Sequence, residues 1–313
     1  MGVSSGEKLG MKRRIEILGV GVDVVTADEA VRQLTSFWQE EGASAAVHAG
    51  RCEPSASAAH EQSAGRTCGR SARDAGEQSV RDAGEQSCAA FKTHQVVTLN
   101  PEMIMAAQHD GELRRALEES SLVVADGIGV VWASRVLRQP LPERIAGIDL
   151  AVAVLQVAAA QGRAVFFLGG EEGVAERAAE RLCRRFPGLR VAGVHHGYFT
   201  EAENHRIVRM IAEKAPDLLL VGLGAPKQEL WIYRNLGFLG ARVAMGVGGA
   251  LDVFAGRVKR APVAWQKLGL EWAYRLIQQP WRFRRMLALP KFAAAVLRRR
   301  WLGQAAGNDG SER

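Results

Sequence analysis

The sequence predicts an α/β protein with a mostly parallel sheet, helices on both faces of that sheet, and a helical appendage at the C-terminus. Short apolar runs such as VFFL (165–168) and LLLVGL (218–223) alternate with segments of helical periodicity. This alternation is typical of parallel strands that are buried on both faces, as in Rossmann-like sheets. The last 57 residues differ from the rest because they are basic and rich in Trp.

Each predicted strand is a short run of apolar or β-branched residues between turn signals. In chain order the predicted strands are 15–25, 95–99, 121–125, 164–168, 189–195, 217–223 and 242–247.

Helix boundaries follow from capping signals. Asn100 precedes Pro101, so it is expected to cap a helix with proline at the first helical position. Thr200 and Glu203 have the spacing of a capping box. One further helix is predicted at 27–40, and a second follows the turn at 126–127. A third ends near residue 185, and a fourth begins at 225–226.

The composition divides the chain into four predicted segments. They are an α/β catalytic domain (11–256), a low-complexity insertion within it (43–92), a basic helical appendage (257–300) and a flexible tail (301–313). The insertion contains the heptapeptide RDAGEQS twice, at 73–79 and 81–87. It has too few large apolar residues to offset its ordering entropy and is expected to be disordered or loosely helical. A Cys/His metal loop using Cys52, His60, Cys68 and Cys88 is the alternative, although its spacings are long and irregular.

Composition and charge exclude several classes. With 47% hydrophobic and 24% charged residues, the 313-residue chain is neither wholly disordered nor a disulfide mini-protein. Residues 257–313 carry a net charge of +10, whereas residues 1–256 sum to −3. A basic, Trp-rich tail favours an anionic surface, either nucleic acid or lipid headgroups. No run of 18 apolar residues and no signal-peptide core occur, so a cytoplasmic location is expected.

Nearly every predicted strand ends in glycine next to a polar residue. Glycine at that position lets backbone N–H groups approach a phosphate, and the next helix N-terminus favours negative charge. None of these turns is a GxGxxG, a Walker A loop or a GxSxG elbow. The residues alone therefore predict a phosphate-bearing ligand and no specific reaction. The turns are 98–101, 125–129, 168–173, 195–198, 222–229 and 246–252.

Six ordered motifs together resemble the WecG/TagA/CpsF glycosyltransferase family. The match extends from about residue 15 to 300, apart from the insertion, and LEWxxRLxxxP (270–280) resembles the family's C-terminal appendage. The six motifs are TLN (98–100), ADG (125–127), RxxGxD (144–149), GAPKQE (224–229), GGxxD (248–252) and RAP (260–262).

The resemblance implies transfer of an amino sugar from a UDP-sugar to GlcNAc on a lipid diphosphate, with inversion. Asp126 is then the base that deprotonates the acceptor hydroxyl, and an Asp-Gly turn is the alternative. Thr98 and Asn100 would bind the acceptor sugar, although Asn100 also suits a cap. Arg144 would balance diphosphate charge, and a surface salt bridge is its alternative. Gln228 is a further polar site residue.

Other residues are expected to bind substrate or to stay outside the site. Lys227 and Glu229 are interpreted as exposed residues in the first turn of a helix. Asp252 is predicted either to face the donor or to cap the following segment. The other predicted substrate-binding residues are Gly169, Gly170, Gly248, Gly249, Arg275, Arg282 and Arg285, of which the arginines would contact phosphate as the appendage closes over the site.

No metal or other cofactor is expected. His195 and His196 lack a third ligand at metal spacing, and no clean Asp-x-Asp pair occurs. Metal-independent transfer is predicted, in which cationic side chains and backbone amides stabilise the departing UDP.

The appendage is expected to dock on a membrane. Trp265, Leu268, Trp272 and Leu276 fall at helical spacing, and Pro280 should break or kink that helix. A docked helix with a solvated charged face is the alternative. The expected location is the inner face of the cell membrane, without nucleic acid, and a homo-oligomer is left open.

The resemblance therefore implies an inverting transferase that adds an N-acetylmannosamine-type sugar in β-1,4 linkage to GlcNAc-diphospho-undecaprenol, in teichoic acid or related polymer synthesis. A UDP-ManNAc uronic acid or UDP-glucose donor is an alternative within the family. A nucleotide-cofactor oxidoreductase is the alternative from another enzyme class, and the missing GxGxxG argues against it.

Overall fold

The computed structural model describes residues 13–39, 92–280 and 283–308. Most of the predicted insertion (43–91), including Cys52, Cys68 and Cys88, lies outside these residues. The strands are β1 (Arg14–Ile17), β2 (Val20–Asp23), β3 (His94–Leu99), β4 (Leu122–Ala125), β5 (Ala164–Gly169), β6 (Arg190–His195), β7 (Leu218–Gly222) and β8 (Val243–Gly246).

Six strands form one parallel sheet in the order β4-β3-β8-β7-β5-β6. The chain places β4 on one side of β3 and then crosses to β5 on the other side, and β7 and β8 fill the gap between them. All six strands therefore end at the same edge of the sheet, where open α/β sheets bind their ligands. The predicted α/β class is confirmed.

The first predicted strand is wrong as a single element. Residues 15–25 contain the antiparallel pair β1–β2, which forms a separate two-stranded sheet. The chain reverses at Leu18 and Gly19, whose φ angles of 51° and 79° suit a two-residue hairpin turn. Asp23, which is 1% exposed, accepts hydrogen bonds from Arg14 Nε (3.1 Å) and from the backbone N–H of Val123 in β4 (2.7 Å). These contacts fasten the hairpin to the edge of the main sheet.

Helices cover both faces of the sheet. Those of the catalytic body are α1 (Ala27–Ser36), α2 (Pro101–Ala106), α3 (Gly111–Glu118), α4 (Ile128–Val136), α5 (Gly147–Ala160), α6 (Val174–Arg185), α7 (Glu201–Lys214), α8 (Lys227–Asn235) and α9 (Ala250–Phe254). The predicted cap at Asn100 and the capping box at Thr200 and Glu203 are both confirmed.

Alternate residues of the central strands point to opposite faces, as a β period of two requires. On one face, residues such as Val96 and Phe167 join the buried cluster that contains α1, α5, α6 and α9. On the other face, Val97 packs with α2, α3 and α4, and Phe166 packs with α7 and α8. Only the edge strand β6, among the six, has no fully buried residue.

The C-terminal appendage consists of several helices. They are α10 (Val263–Lys267), α11 (Glu271–Gln278), α12 (Phe283–Met286) and α13 (Ala288–Asn308). The prediction that Trp265, Leu268, Trp272 and Leu276 share one helical stripe is wrong, because the chain turns at Gly269 between α10 and α11.

Helix α13 is packed into the catalytic body. Phe292 and Val296 are 2% and 0% exposed and belong to the core cluster that also contains residues of α2 and α4. Across the described ranges, no helix combines the length and apolar character that crossing a bilayer would require.

Candidate active site

A cleft of about 410 Å³ opens where β3, β4, β7 and β8 end, and the appendage forms its opposite wall. Residues from α11 and α13 line this wall, including Glu271, Trp272 and Leu289. The cleft brings together eight of the predicted site residues: Thr98, Asn100, Asp126, Arg144, Gln228, Gly248, Gly249 and Arg275.

Asp126 follows β4 directly and lies on the floor of this cleft. Its backbone N–H donates to the carbonyl of Leu99 (2.8 Å), which aligns it with the end of β3. Gly127 has a φ of 95°, a conformation that side chains disfavour, and this turn leads into α4. The carboxylate accepts a hydrogen bond from the N–H of Gly147, the first residue of α5. Asp126 therefore sits at the positive end of a 14-residue helix.

The pKa of Asp126 is raised from 3.8 to about 6. Burial is the largest cause, because protein atoms surround the carboxylate and disfavour its charged form, although the side chain keeps some solvent access. The Gly147 hydrogen bond, Arg144 and Arg275 act in the opposite direction, whereas Glu271 adds to the increase. A carboxylate with a pKa of about 6 is a stronger base than an ordinary aspartate and is still ionised at neutral pH.

Thr98, in β3, and Asn100, directly after β3, lie beside Asp126 in the lining of the cleft. Thr98 is 7% exposed, and its Oγ1 lies 3.4 Å from the carbonyl oxygen of Gly246 in β8. Asn100 Oδ1 accepts from the N–H of Met103 (3.0 Å) and so caps α2. The cap uses only Oδ1, and the amide nitrogen of Asn100 makes no hydrogen bond to any residue that the structure describes.

Gln228 and Glu229 begin α8 and are both buried. Gln228 Oε1 accepts from the N–H of Gly248 (2.9 Å), and its Nε2 donates to Glu229 Oε1 (2.8 Å). Gln228 thus fixes the glycine turn after β8. The prediction that Lys227 and Glu229 are both exposed holds for Lys227 and is wrong for Glu229, which is 0% exposed. The second residue of the pair faces inward because α8 packs against the sheet there.

Arg144 belongs to a chain of ion pairs that joins the body to the appendage. Its Nη1 lies 2.8 Å from Glu271 Oε2. Glu271 Oε1 lies 3.3 Å from Arg260 Nε, and both outer nitrogens of Arg260 contact the Asp149 carboxylate at 2.6 and 2.7 Å. Arg144 therefore forms the salt bridge that was the alternative to a role in the site. Both residues of this pair nevertheless line the cleft.

Three predicted substrate-binding residues lie outside the lining of this cleft. Gly169 and Gly170 follow β5, and a Cβ on Gly169 would lie 2.5 Å from the carbonyl oxygen of Gly222, so only glycine fits there. Asp252 is in α9, and its backbone carbonyl accepts from the N–H groups of Arg257 and Val258. It therefore ends α9 through its backbone, and the role of its side chain stays a prediction.

The remaining predicted residues are less fully described. Arg282 lies outside the described residues, and Arg285 belongs to α12. His195 is the last residue of β6 and His196 follows it, and His195 Nδ1 lies 2.7 Å from the carbonyl oxygen of His196. Within the described ranges, no group of three or more His, Cys, Asp or Glu side chains is arranged to hold a metal ion.

Residues 71–306 match the model of the "Glycosyl transferase WecG/TagA/CpsF family". This range covers three quarters of the chain and includes every residue that lines the cleft. The chain belongs to the WecG/TagA/CpsF family. It is a glycosyltransferase of the hexosyltransferase class. The matched range begins at residue 71, so it does not include the β1–β2 hairpin.

Two named relatives are similar to this chain over most of their own length. A Bacillus spizizenii protein is 40% identical over 203 residues, which are 65% of this chain and 78% of that protein. A Staphylococcus aureus protein is 41% identical over 197 residues, or 63% and 77% of the two chains. Both are named N-acetylglucosaminyldiphosphoundecaprenol N-acetyl-beta-D-mannosaminyltransferase.

The sequence did not indicate a role for two charged residues of this WecG/TagA/CpsF glycosyltransferase, Glu271 and Arg260. Both lie in the motifs that carry the resemblance, RAP and LEWxxRLxxxP. Their partners, Arg144 and Asp149, occupy a third motif more than 100 positions earlier. The opposite charges of residues in these distant motifs were the signal in the sequence that could have indicated the pairing.

Proposed function

We propose that this glycosyltransferase moves N-acetylmannosamine from UDP-N-acetylmannosamine to GlcNAc-diphospho-undecaprenol, with inversion and a β-1,4 linkage, in teichoic acid or a related polymer. The observation that carries the proposal is Asp126, a half-buried carboxylate with a raised pKa on the floor of a cleft whose wall contains arginines. The names of the relatives support the acceptor and the transferred sugar.

In the proposed step, the 4-hydroxyl oxygen of GlcNAc attacks the anomeric carbon of the donor sugar. The bond between that carbon and the oxygen of the UDP β-phosphate breaks, and its electron pair leaves with UDP. The hydroxyl proton passes to the Asp126 carboxylate. Because attack and departure occur on opposite faces of the sugar, the configuration at the anomeric carbon inverts.

Charge on the leaving diphosphate needs compensation, and the cleft can supply it without a metal. Arg144 and Arg275 line the cleft, and the N–H of Gly249 lies in the turn that the hydrogen bond from the Gly248 N–H to Gln228 fixes. Donors fixed before reaction stabilise developing charge without reorganisation. Arg282 and Arg285, which follow α11 in the chain, are proposed to add to this charge, and Gly169, Gly170 and Asp252 to bind the donor nucleotide.

The lipid part of the acceptor points to a membrane surface beside the cleft. Large apolar side chains of the appendage are exposed near the opening, including Leu268 (70%), Ile277 (68%) and Phe283 (59%). The same stretch of sequence is rich in Lys and Arg, and a basic residue near an anionic leaflet adds about 1 kcal/mol of attraction. We propose that this apolar rim, defined by Leu268, Trp272, Ile277 and Phe283, rests on the inner leaflet and admits the acceptor head group.

Two new negative charges on the rim are expected to weaken binding to lipid without slowing the transfer reaction itself. Leu268→Glu combined with Ile277→Glu should weaken binding to phosphatidylglycerol vesicles about tenfold or more, because it places carboxylates at the lipid surface. Cosedimentation measures this. Transfer to a short-chain, water-soluble acceptor should stay within about twofold of wild type. Phe238→Glu is the matched control, since Phe238 is 47% exposed just before β8, at the opposite edge of the sheet. Equal vesicle binding by both variants would contradict the proposed surface.

The pKa of Asp126 predicts the acid limb of the pH profile. A base must be ionised to accept a proton, so kcat/KM should fall about tenfold per pH unit below pH 6. The limb should level off above pH 7. Initial rates at donor and acceptor concentrations well below their KM values, between pH 4.5 and 8, would show this, with enzyme stability checked at each pH. A limb centred near pH 4 would mean that Asp126 has an ordinary pKa or is not the base.

A donor panel tests the proposal directly. UDP-N-acetylmannosamine, its uronic acid, UDP-glucose and UDP-GlcNAc are each incubated with a GlcNAc-diphospho-lipid analogue, and UDP release is measured with and without EDTA. We expect release with UDP-N-acetylmannosamine, unchanged by EDTA. Preference for another donor would replace the proposed sugar. Loss with EDTA and recovery with Mg²⁺ or Mn²⁺ would refute metal-independent transfer.

A further inference from the structure

Glu271 occupies an unusual position between two arginines. It is the first residue of α11, and each of its carboxylate oxygens contacts a different guanidinium, Arg144 at 2.8 Å and Arg260 at 3.3 Å. The side chains of Arg144 and Glu271 are 21% and 23% exposed, so water screens their interaction only partly. Glu271 therefore joins the body to the wall of the cleft that the appendage supplies.

Arg260 extends this link back to the catalytic body. Its two outer nitrogens bind the carboxylate of Asp149, in the first turn of α5, in a bidentate contact. Charges thus alternate along the chain Asp149, Arg260, Glu271, Arg144. Both ends of this chain lie at the start of α5, whose first residue donates to Asp126.

We propose that Glu271 is a positioning residue for the transfer reaction, which holds Arg144 at the cleft and clamps α11, with Arg275, against the catalytic body. The proposal rests on the proposed function, because Arg144 and Arg275 there contact the diphosphate. Arg144 uses one of its five N–H groups for Glu271, so the others stay available to a phosphate. An arginine that is already oriented loses less conformational freedom when the ligand binds.

Glu271 also balances the charge around the base. The charged groups that act on Asp126 are Arg144 from the loop before α5, and Glu271 and Arg275 from α11. Glu102 from α2 and Lys259 and Arg260 from the segment after α9 complete the charged lining of the cleft. Without Glu271 the arginines would act on Asp126 unopposed, which favours its ionised form and makes it a weaker base.

Glu271→Gln tests the proposal, with Glu180→Gln as the matched control. Glu180 lies on the exposed face of α6 and pairs only loosely with Arg184, at 3.5 Å. In the full-length enzyme, Glu271→Gln should lower kcat/KM about tenfold and move the acid limb of the profile to lower pH. A merely structural loss would leave the limb in place. Glu271→Asp keeps the charge, so its limb should stay at the wild-type pH even if its kcat falls.

Hydrogen–deuterium exchange supplies a readout that needs no substrate. Glu271→Gln should raise the exchange rates of amides 271–278 about fivefold or more, whereas Glu180→Gln should leave them unchanged. Wild-type exchange in the Glu271→Gln variant would overturn the proposal whatever its activity, and so would an unmoved acid limb. If the wild-type enzyme released no UDP from any donor, the proposed function would fail, and exchange alone would decide whether Glu271 clamps α11.

Discussion

Asp126→Asn should reduce transfer by three orders of magnitude or more while leaving the protein folded. The amide cannot accept the hydroxyl proton, and general-base catalysis contributes roughly 10²–10⁴-fold to rate. The amide can still accept the N–H of Gly147, so the turn after β4 keeps its hydrogen bond. UDP release with a lipid-diphosphate acceptor measures the loss.

The stability of the same variant provides its control. Because the pKa of Asp126 is raised, the folded protein binds this proton more tightly than the unfolded chain between pH 4 and 6. Ionised Asp126 therefore costs stability above pH 6, and the cost is relieved as the pH falls. Asp126→Asn removes that cost, so its Tm at pH 7.5 should equal or exceed that of wild type. Near-normal turnover in a folded variant would show that another group is the base.

Phe292→Ala should give the largest loss of stability in the appendage, about 3 kcal/mol or more in the free energy of unfolding. Phe292 is 2% exposed and packs with α2 and α4, and its ring faces Gly129 near the cleft. The variant would leave a cavity between the appendage and two helices whose first residues line the active site. Urea denaturation monitored by circular dichroism measures the change.

Phe283→Ala is the comparison for this change. Phe283 belongs to the same appendage but is 59% exposed, so its removal should alter stability by less than about 0.5 kcal/mol. Equal midpoints for the two variants would show that α13 is not part of the core. The same packing means that deleting residues 257–313 removes core side chains along with the rim. Substitutions on the rim therefore test membrane binding more cleanly than truncation.

Local signals in the sequence were sufficient to predict most strands of the sheet. β4, β5, β7 and β8 are continuous apolar runs, and burial on both faces of a parallel sheet favours that composition. The caps of α2 and α7 were also predictable, because a capping side chain and its target lie three residues apart. The hairpin β1–β2 was missed because Leu18, at its turn, has a positive φ that leucine rarely adopts.

The residues of the site could be predicted from the sequence, but the contacts between them could not. Asp126, Asn100 and Gln228 stand directly after strands or at the start of helices, and parallel strands bring such residues to one edge. Nothing local indicated that Glu229 is buried beside Gln228, or that the single apolar stripe of the appendage is divided between two helices.

By itself, the sequence determined the α/β class, the family and the residues that meet at the ends of the strands. These properties depend on period, capping and motif order, which act over a few residues or recur in fixed sequence. Only the tertiary structure decided that α13 completes the core and that Arg144 is joined to Glu271. Those contacts connect segments far apart in the chain, 127 positions for that ion pair. Their energy depends on burial and distance, which exist only once the sheet has brought the segments together.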